Sequence, residues 1–308
     1  MSLLTQKTII KTVNFSGIGL HNGKIANMVI KPSEPNSGIV FKRVDLKKNN
    51  LIVANFKNVS SARLCTTLQN EHFNTVSTVE HLLAALYIAD IDNALIEINN
   101  DEVPILDGSA KMFLDVLEKT KLKIQSARRK YLKILDKVEL IDGNRVISIE
   151  PNNLSFEVNF KLNYKNKIIG KQQNSVNFQN DDLKQIAESR TFCLFEDIEK
   201  IKKLGLAKGG SLDNAIVVDN DKILNINGLR NSKEFVNHKI LDLAGDFLLS
   251  GYRVLGKINC YQGGHELTNL FLRKLISEKE SYSIIEERSY HQSKKTSQLS
   301  PLKIAAIA

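Results

Sequence analysis

The sequence predicts an α+β protein built from two similar halves, each combining strands with helices. The chain has 308 residues, which is enough for two domains of ordinary size. A helical pattern that leads through a short turn into a strand occurs twice, at 77–98 and at 234–261. A basic stretch at 126–130, with its core Arg128-Arg129-Lys130, lies between them and is typical of a linker. The predicted divisions are a first domain over 1–125, a second domain over 126–285 and a tail over 286–308.

In the first half, short runs rich in β-branched residues alternate with Gly, Asn and Pro, which is the pattern of strands joined by turns. A mainly apolar segment with a helical pattern follows, and an amphipathic helix comes after the Asp107-Gly108 turn. The predicted strands are 8–13, 25–30, 38–43, 51–54 and 94–98, and the predicted helices are 77–88 and 111–120.

The second half repeats this mixture of strands and helices. Its strongest helical signal is 234–250, where apolar residues recur every three or four positions. The other predicted elements are strands at 131–135, 146–149, 154–162, 215–218 and 257–261 and a helix near 181–187.

The composition is that of a globular protein with a substantial core. Hydrophobic residues make up 42% and charged residues 25% of the chain, so most of it is expected to be ordered. The 43 basic and 34 acidic residues give a net charge of +9, which favours an anionic partner such as a phosphorylated substrate. Trp is absent, which argues against an aromatic platform for nucleic acid.

The cysteines and the apolar runs indicate a compartment. Cys65, Cys193 and Cys260 are far apart and form no CxxC pair, which favours a reducing environment. The first residues lack a basic segment followed by a long apolar one, so no signal peptide is expected. No apolar run approaches the roughly 20 residues that cross a bilayer. We therefore expect a cytoplasmic protein without stable membrane insertion.

One face of the longest predicted helix carries short polar side chains. At about 100° per residue, His238, Asp242 and Asp246 fall on one stripe, and Lys239 lies at its edge. An imidazole and a carboxylate four residues apart project side by side and can bind one metal ion. The alternative is the solvated face of an amphipathic helix, although such faces are usually rich in Lys and Glu.

Two further histidines are candidate functional residues. His81 follows Glu80, and Ser77 and Glu80 have the spacing of a capping box, so Glu80 is interpreted as a cap, a catalytic carboxylate or both. His81 itself can be a core histidine, because its neighbours are apolar. His265 follows two glycines, which permit an exposed turn that projects the ring into a cleft, and the alternative is a surface loop. The remaining histidines, interpreted as structural or surface residues, are His21, His72 and His291.

Several motifs occur together and in a fixed order. They are Ser16-Gly17-Ile18-Gly19-Leu20-His21, Ser77-Thr78-Val79-Glu80-His81, Pro104-Ile105-Leu106-Asp107-Gly108-Ser109, Ser189-Arg190-Thr191-Phe192, Gly209-Gly210-Ser211, His238-Lys239-Ile240-Leu241-Asp242 and Gly263-Gly264-His265. With them the chain resembles the UDP-3-O-acyl-N-acetylglucosamine deacetylases of lipid A synthesis, from about residue 9 to residue 276. The resemblance implies two similar domains, each a β-sheet layered with α-helices, with the helices packed between the two sheets.

The resemblance also implies one Zn²⁺ per chain, held by His81, His238 and Asp242. Three protein ligands leave a fourth position open, which is the arrangement of a catalytic zinc site. The implied reaction removes the N-acetyl group from a UDP-3-O-(3-hydroxyacyl)-N-acetylglucosamine and gives acetate and a free amine. The implied catalytic residues are Glu80 as general base, Thr191 as an oxyanion-stabilising hydroxyl, His265 as a cation held by Asp246, and Lys239 as a diphosphate contact.

An apolar channel for the acyl chain is implied as well. Arg63 stands near its mouth, where an apolar residue is expected, so the preferred acyl length is not evident from the sequence. The matching channel positions are Phe192, Ile198, Ala207, Ser211, Ala215 and Val217.

Two other functions remain open at the level of sequence. One is a zinc amidohydrolase of the same architecture that acts on a different N-acetylated compound. The other is a basic nucleic-acid-binding protein with a structural metal, but no predicted helix concentrates Arg and Lys on one face and no zinc-finger spacing occurs. We therefore expect a monomer whose partner is a small UDP-linked acylated amino sugar and not a nucleic acid.

Overall fold

The computed structural model describes residues 5–152 and 154–286, which form an α+β fold and confirm the predicted fold class. The strands are β1 (Thr5–Ile9), β2 (Val13–Ile18), β3 (Ile25–Pro32), β4 (Ile39–Arg43), β5 (Leu51–Val53), β6 (Val59–Ser61), β7 (Thr67–Gln69), β8 (Thr75–Val76), β9 (Ala94–Ile98), β10 (Leu122–Arg128), β11 (Lys130–Ile134), β12 (Val138–Asp142), β13 (Arg145–Pro151), β14 (Phe156–Asn163), β15 (Lys171–Asn177), β16 (Phe192–Leu194), β17 (Ile216–Asp219), β18 (Lys222–Ile223), β19 (Arg253–Tyr261) and β20 (Tyr282–Glu286). The helices are α1 (Glu80–Ile88), α2 (Lys111–Lys119), α3 (Lys184–Ala187), α4 (Phe195–Lys203), α5 (Glu234–Leu248) and α6 (His265–Ser277).

A five-stranded sheet with the order β2-β3-β9-β4-β5 forms the first layer. Alternate residues of β3, namely Ala26, Met28 and Ile30, are fully buried, as expected when one face of a strand covers a core. β9 pairs antiparallel with β3 and parallel with β4, which places it at the centre of the sheet. The inward side chains of this sheet share one apolar core with the leucines of α1.

A seven-stranded sheet forms the second layer, and β19 is its central strand. Residues 256–261 of β19 pair antiparallel with β13 on one side and parallel with β14 on the other. Its first residues, 253–255, pair with β11. α5 packs against β14 and β15, and α6 packs against β12 and β13. A separate three-stranded sheet, β16-β17-β18, and α4 lie between α3 and α5 in the sequence.

α1 and α5 cross in the interior between the two sheets, and the crossing depends on a glycine. A Cβ atom added at Gly245 would overlap the carbonyl oxygen of Glu80 and would lie 3.1 Å from the amide nitrogen of Ala84. The two backbones therefore approach more closely than any other residue type allows. This contact brings the start of α1 next to the middle of α5.

The basic stretch predicted as a linker is well ordered. β10 ends at Arg128 and β11 begins at Lys130, so Arg129 alone separates them. The Arg129 side chain is only 3% exposed and forms ion pairs with Asp90 and Asp92 at 2.6 Å each. The predicted domain boundaries stay a prediction. Of the predicted tail, Glu286 ends β20 and the rest lies outside the described residues.

One predicted strand was wrong, and two helices were not predicted. The strand predicted at 8–13 is the end of β1 and the start of β2, because β1 pairs with β10 while β2 pairs with β3, and the chain must turn between the two sheets. α4 and α6 were not predicted as elements. Within the described residues, no helix has both the length and the apolar character needed to cross a bilayer.

Candidate active site

α1 begins later than the sequence predicts, and Ser77 does not cap it. The helix starts at Glu80, and its N-cap residue makes no side-chain capping bond. Thr78 has a φ of +56°, so the chain turns sharply before the helix, and the Ser77 hydroxyl donates to the carbonyl oxygen of Asp101 at 3.1 Å. The Glu80 carboxylate accepts a hydrogen bond from the amide of Thr66 at 3.0 Å. The predicted capping box is therefore wrong.

Three side chains from α1 and α5 converge where the helices cross. Nε2 of His81 and Nε2 of His238 each lie 3.4 Å from Oδ1 of Asp242. All three residues are at most 4% exposed. Their potential ligand atoms lie within 4.8 Å of one another, and no second group of this kind occurs in the described part of the chain.

The donor set fits a divalent metal ion. Oδ1 of Asp242 is buried and has no hydrogen-bond partner among the described residues. Leaving such an atom unsatisfied costs roughly 1–3 kcal/mol or more, and a cation between the three side chains would offset this cost. A carbonyl oxygen can only accept, so Nδ1 of His238 donates to Ser189 at 3.0 Å, and its Nε2 keeps a lone pair for a metal. Burial lowers the pKa of His238 to about 3, so its ring is neutral near pH 7.

Lys239 brings a positive charge next to these three residues. Its Nζ donates to Oδ2 of Asp242 at 2.8 Å and lies 5.5 Å from the centre of the Phe192 ring. Burial is the largest single influence on the pKa of Lys239 and lowers it, but the charge and hydrogen bond of Asp242, together with Tyr164 and Glu80, outweigh burial and the pKa is raised. Oδ2 of Asp242 is therefore paired while Oδ1 is not.

His265 is the first residue of α6, is 9% exposed and lines the cavity described below, so the alternative of a surface-loop histidine was wrong. Its Nδ1 lies 2.8 Å from Oδ2 of Asp246, whose other oxygen accepts a hydrogen bond from the Thr66 hydroxyl at 2.7 Å. Burial alone would lower the pKa of His265, but nearby carboxylates, Asp246 foremost, raise it to about 9. Nε2 of this cationic ring lies 3.8 Å from Oε1 of Glu80.

The environment of Glu80 favours proton transfer. The residue is 2% exposed, and burial raises its pKa even though His265 opposes the shift. The neighbouring protein groups alone do not keep this carboxylate readily ionised, because desolvation outweighs them. A carboxyl group with a raised pKa is suited to accept a proton and return it.

A cavity of about 390 Å³ opens onto these side chains. Arg63, Arg145 and Tyr164 also line it, so part of its wall is basic. Asp246 does not line it and lies behind His265. The predicted catalytic and metal-binding residues that line this cavity are Glu80, His81, Thr191, His238, Lys239, Asp242 and His265.

A second cavity of about 370 Å³ adjoins the first, and Thr191 and Phe192 line both. Much of its wall is apolar, and residues of α4, which the sequence analysis missed, form one side. All six positions predicted for the acyl channel line it, namely Phe192, Ile198, Ala207, Ser211, Ala215 and Val217. We call this cavity the apolar passage.

Two residues near the site were missed in the sequence. His21 was interpreted as structural or surface, but it is 8% exposed, lines the apolar passage and has no hydrogen-bond partner for either ring nitrogen among the described residues. Its place at the end of the Gly-rich motif at 16–21 was a signal that could have found it. Thr66 donates hydrogen bonds to both Glu80 and Asp246, and no motif in the sequence indicates this role. His72 is 46% exposed, as expected, and His291 lies outside the described residues.

Comparison with known proteins identifies relatives over almost the whole chain. The family model described as UDP-3-O-acyl N-acetylglycosamine deacetylase matches residues 6–277. A UDP-3-O-acyl-N-acetylglucosamine deacetylase of Syntrophotalea carbinolica is 38% identical over 309 residues, covering 99% of each chain. Proteins of the same name from Idiomarina loihiensis and Shewanella baltica are 38% and 39% identical, covering 92% of this chain and 93% of their own.

These matches confirm the resemblance inferred from the motifs. They include the segments that carry the buried His and Asp residues and most of the wall of the apolar passage. The chain belongs to the UDP-3-O-acyl N-acetylglycosamine deacetylase family.

Proposed function

We propose that this chain hydrolyses the N-acetyl group of UDP-3-O-(3-hydroxyacyl)-N-acetylglucosamine, giving acetate and the free amine, as the committed step of lipid A synthesis. Family membership supports the reaction type and the substrate class. The observation that carries the proposal is the unpartnered Oδ1 of Asp242, buried between His81 and His238 at the floor of a cavity that continues into an apolar passage.

We assign one zinc ion per chain to His81, His238 and Asp242. Bound there, zinc would supply Lewis-acid chemistry that polarises an amide carbonyl and activates water. The hydrogen bond between His238 and Ser189 fixes the ring orientation, and Lys239 holds the second oxygen of Asp242, so the protein presents these donors in a set geometry.

Glu80 is assigned as the general base. It accepts a proton from the attacking water, and its raised pKa makes it a stronger base than an exposed carboxylate. The amine that leaves when the C–N bond breaks takes a proton from His265 or from Glu80, which lie 3.8 Å apart. His265 carries a positive charge next to the developing oxyanion, and Asp246 orients its ring.

The two cavities are assigned to different parts of the substrate. Thr191 lines both, which supports assigning its hydroxyl to stabilise the oxyanion at their junction. The apolar passage holds the O-acyl chain, because its wall is largely apolar and small side chains such as Ala207 and Ala215 leave space in it. The diphosphate is assigned to the basic side of the first cavity, with Lys239 as a contact.

The test measures acetate release from the UDP-linked amino sugar with and without its O-acyl chain, using metal-free protein and protein reloaded with Zn²⁺. We expect release only after reloading and a much higher kcat/KM for the acylated compound. His238→Ala should lower the bound metal well below one equivalent. Equal rates for both compounds would point instead to an amidohydrolase with another substrate, and full activity of the metal-free protein would refute the metal assignment.

We also propose that the protein acts in the cytoplasm as a monomer on this small-molecule substrate. The absence of a membrane-crossing helix among the described residues is consistent with that location. Sedimentation at micromolar concentration checks the oligomeric state, and a stable dimer would refute it.

A further inference from the structure

We propose that Glu102 is a positioning residue that fixes both the turn before α1 and the loop at 19–23, and so aligns the catalytic residues with the apolar passage. The inference rests on the proposed function. Glu102 lies in the segment after β9, is 1% exposed and lines neither cavity. It therefore acts through other residues and not by touching the substrate.

The Glu102 carboxylate accepts three hydrogen bonds from two separate segments. Oε1 accepts from the Thr78 hydroxyl at 2.9 Å and from the amide of His21 at 2.8 Å. Oε2 accepts from the amide of Asn22 at 2.7 Å. Hydrogen bonds to a charged acceptor are about twice as strong as neutral ones, so this one side chain ties both segments together.

The first segment is the turn that aims α1. Thr78 is β-branched and has a φ of +56°, a strained conformation that costs about 1–3 kcal/mol and persists only where its surroundings hold it. The hydrogen bond to Glu102 supplies part of that hold, and the backbone bonds of Ser77 to Asp101 and Val103 supply the rest. Glu80 follows Thr78 by two residues, so a change in this turn moves the proposed general base.

The second segment is the loop that contains Leu20 and His21, both of which line the apolar passage. A Cβ atom at Gly19 would lie 2.6 Å from Oε2 of Glu102, so the carboxylate packs against the loop in space that only glycine leaves free. On its other side, the loop accepts backbone hydrogen bonds from Lys208 and Gly209 at 3.2 and 3.0 Å. The loop is held between Glu102 and the segment that contains Ala207.

Thr78→Val tests the first connection, because it keeps the shape of the side chain and removes its hydroxyl. We expect kcat to fall about 10-fold to 100-fold, as for other residues that orient metal ligands and catalytic groups, with KM within about two-fold of the original value. Thr78→Ser retains the hydroxyl and should restore most of kcat. Equal kcat values for the Val, Ser and unmodified proteins would overturn this connection.

Glu102→Gln tests the second connection. In either orientation of the amide, its NH₂ group faces a backbone N–H, that of Asn22 or that of His21, so one loop contact becomes repulsive. We expect KM for the O-acylated substrate to rise about 10-fold, while KM for the same sugar without its O-acyl chain stays within about two-fold. The matched control is Glu97→Gln, which removes a carboxylate of β9 that pairs with Lys31 and Lys42 and should leave both KM values unchanged.

Thermal unfolding and zinc content, measured on every variant, separate positioning from general damage. If the unmodified protein fails to release acetate, the proposed function is wrong. If it is active and Glu102→Gln raises KM for both substrates equally, or for neither, the positioning role is wrong.

Discussion

Two largely buried groups of charged residues link elements of both sheets, and they differ in the kind of atom left without a hydrogen-bond partner among the described residues: Nε of Arg253, a donor that still lies 3.5 Å from Asp92, in the first, and a carboxylate oxygen in the second. In the first, Arg129 bonds both Asp90 and Asp92. Lys7 also pairs with Asp90, and Arg253 donates to the carbonyl oxygens at positions 87 and 91. We call these five residues the Arg129 cluster. In the second group, the catalytic site, Oδ1 of Asp242 has no hydrogen-bond donor among the described residues.

The two groups also differ in their balance of charge. The Arg129 cluster places three cations around two carboxylates. The catalytic site holds the carboxylates of Glu80, Asp242 and Asp246 against the cations of Lys239 and His265. A buried surplus of negative charge is costly unless a cation offsets it. The comparison supports the proposal that the Arg129 cluster serves the fold, while the site at Asp242 is left incomplete so that it can bind a metal ion.

The largest expected effect is on catalysis. Glu80→Gln should lower kcat by about 10²-fold to 10⁴-fold, because the general base is lost. Stability should not fall, since burial already disfavours the charged form of Glu80 and glutamine can still accept the hydrogen bond from Thr66. Acetate release, zinc content and the melting temperature measure these quantities. Near-normal turnover would mean that Glu80 has only a structural role.

In the Arg129 cluster we expect the reverse of the Glu80→Gln result, namely a loss of stability without a loss of catalysis. Arg129→Met should lower the free energy of unfolding by roughly 1–3 kcal/mol, because Asp90 and Asp92 lose a buried, charged hydrogen-bond donor while Lys7 and Arg253 still face them. The rate of acetate release per folded molecule should stay the same. Denaturant unfolding measures the change, and Lys137→Met, which breaks an exposed ion pair with Glu139, is the matched control with an expected loss below about 1 kcal/mol. Equal losses in the two variants would contradict a special structural role.

The smallest effects concern the residues behind the catalytic site. Asp246→Asn should lower kcat about 10-fold to 100-fold with zinc retained, because His265 loses the carboxylate that orients its ring. Thr66→Val removes the hydroxyl that holds the other oxygen of Asp246 and should cost only a few-fold. Single-turnover rates with metal analysis measure both. A larger loss for Thr66→Val than for Asp246→Asn would show that Thr66 acts mainly through Glu80.

Much of the fold and part of the site could be predicted from local sequence. β9 has the predicted bounds, and α5 begins at the predicted residue, because each has a clear period of two or of 3.6 residues. α4 was not predicted, because none of its residues is buried and acidic residues in its first turn give way to basic residues in its last turn. The capping box failed because Thr78 adopts a positive φ, which spacing alone does not reveal.

By itself, the sequence determined the alternation of strands and helices, the motifs of the family and the pairing of His238 with Asp242. That pairing follows from residues four apart on one helix, which the helical repeat places side by side. The family motifs named His81 as their third partner, and the tertiary structure brings it to them. Only the tertiary structure decided that Arg129 is buried and that Thr66 reaches Asp246 across a sequence separation of 180 residues. The contact of His81 with α5 depends on the close crossing of α1 and α5 at Gly245, and such long-range packing leaves no periodic signal in the chain.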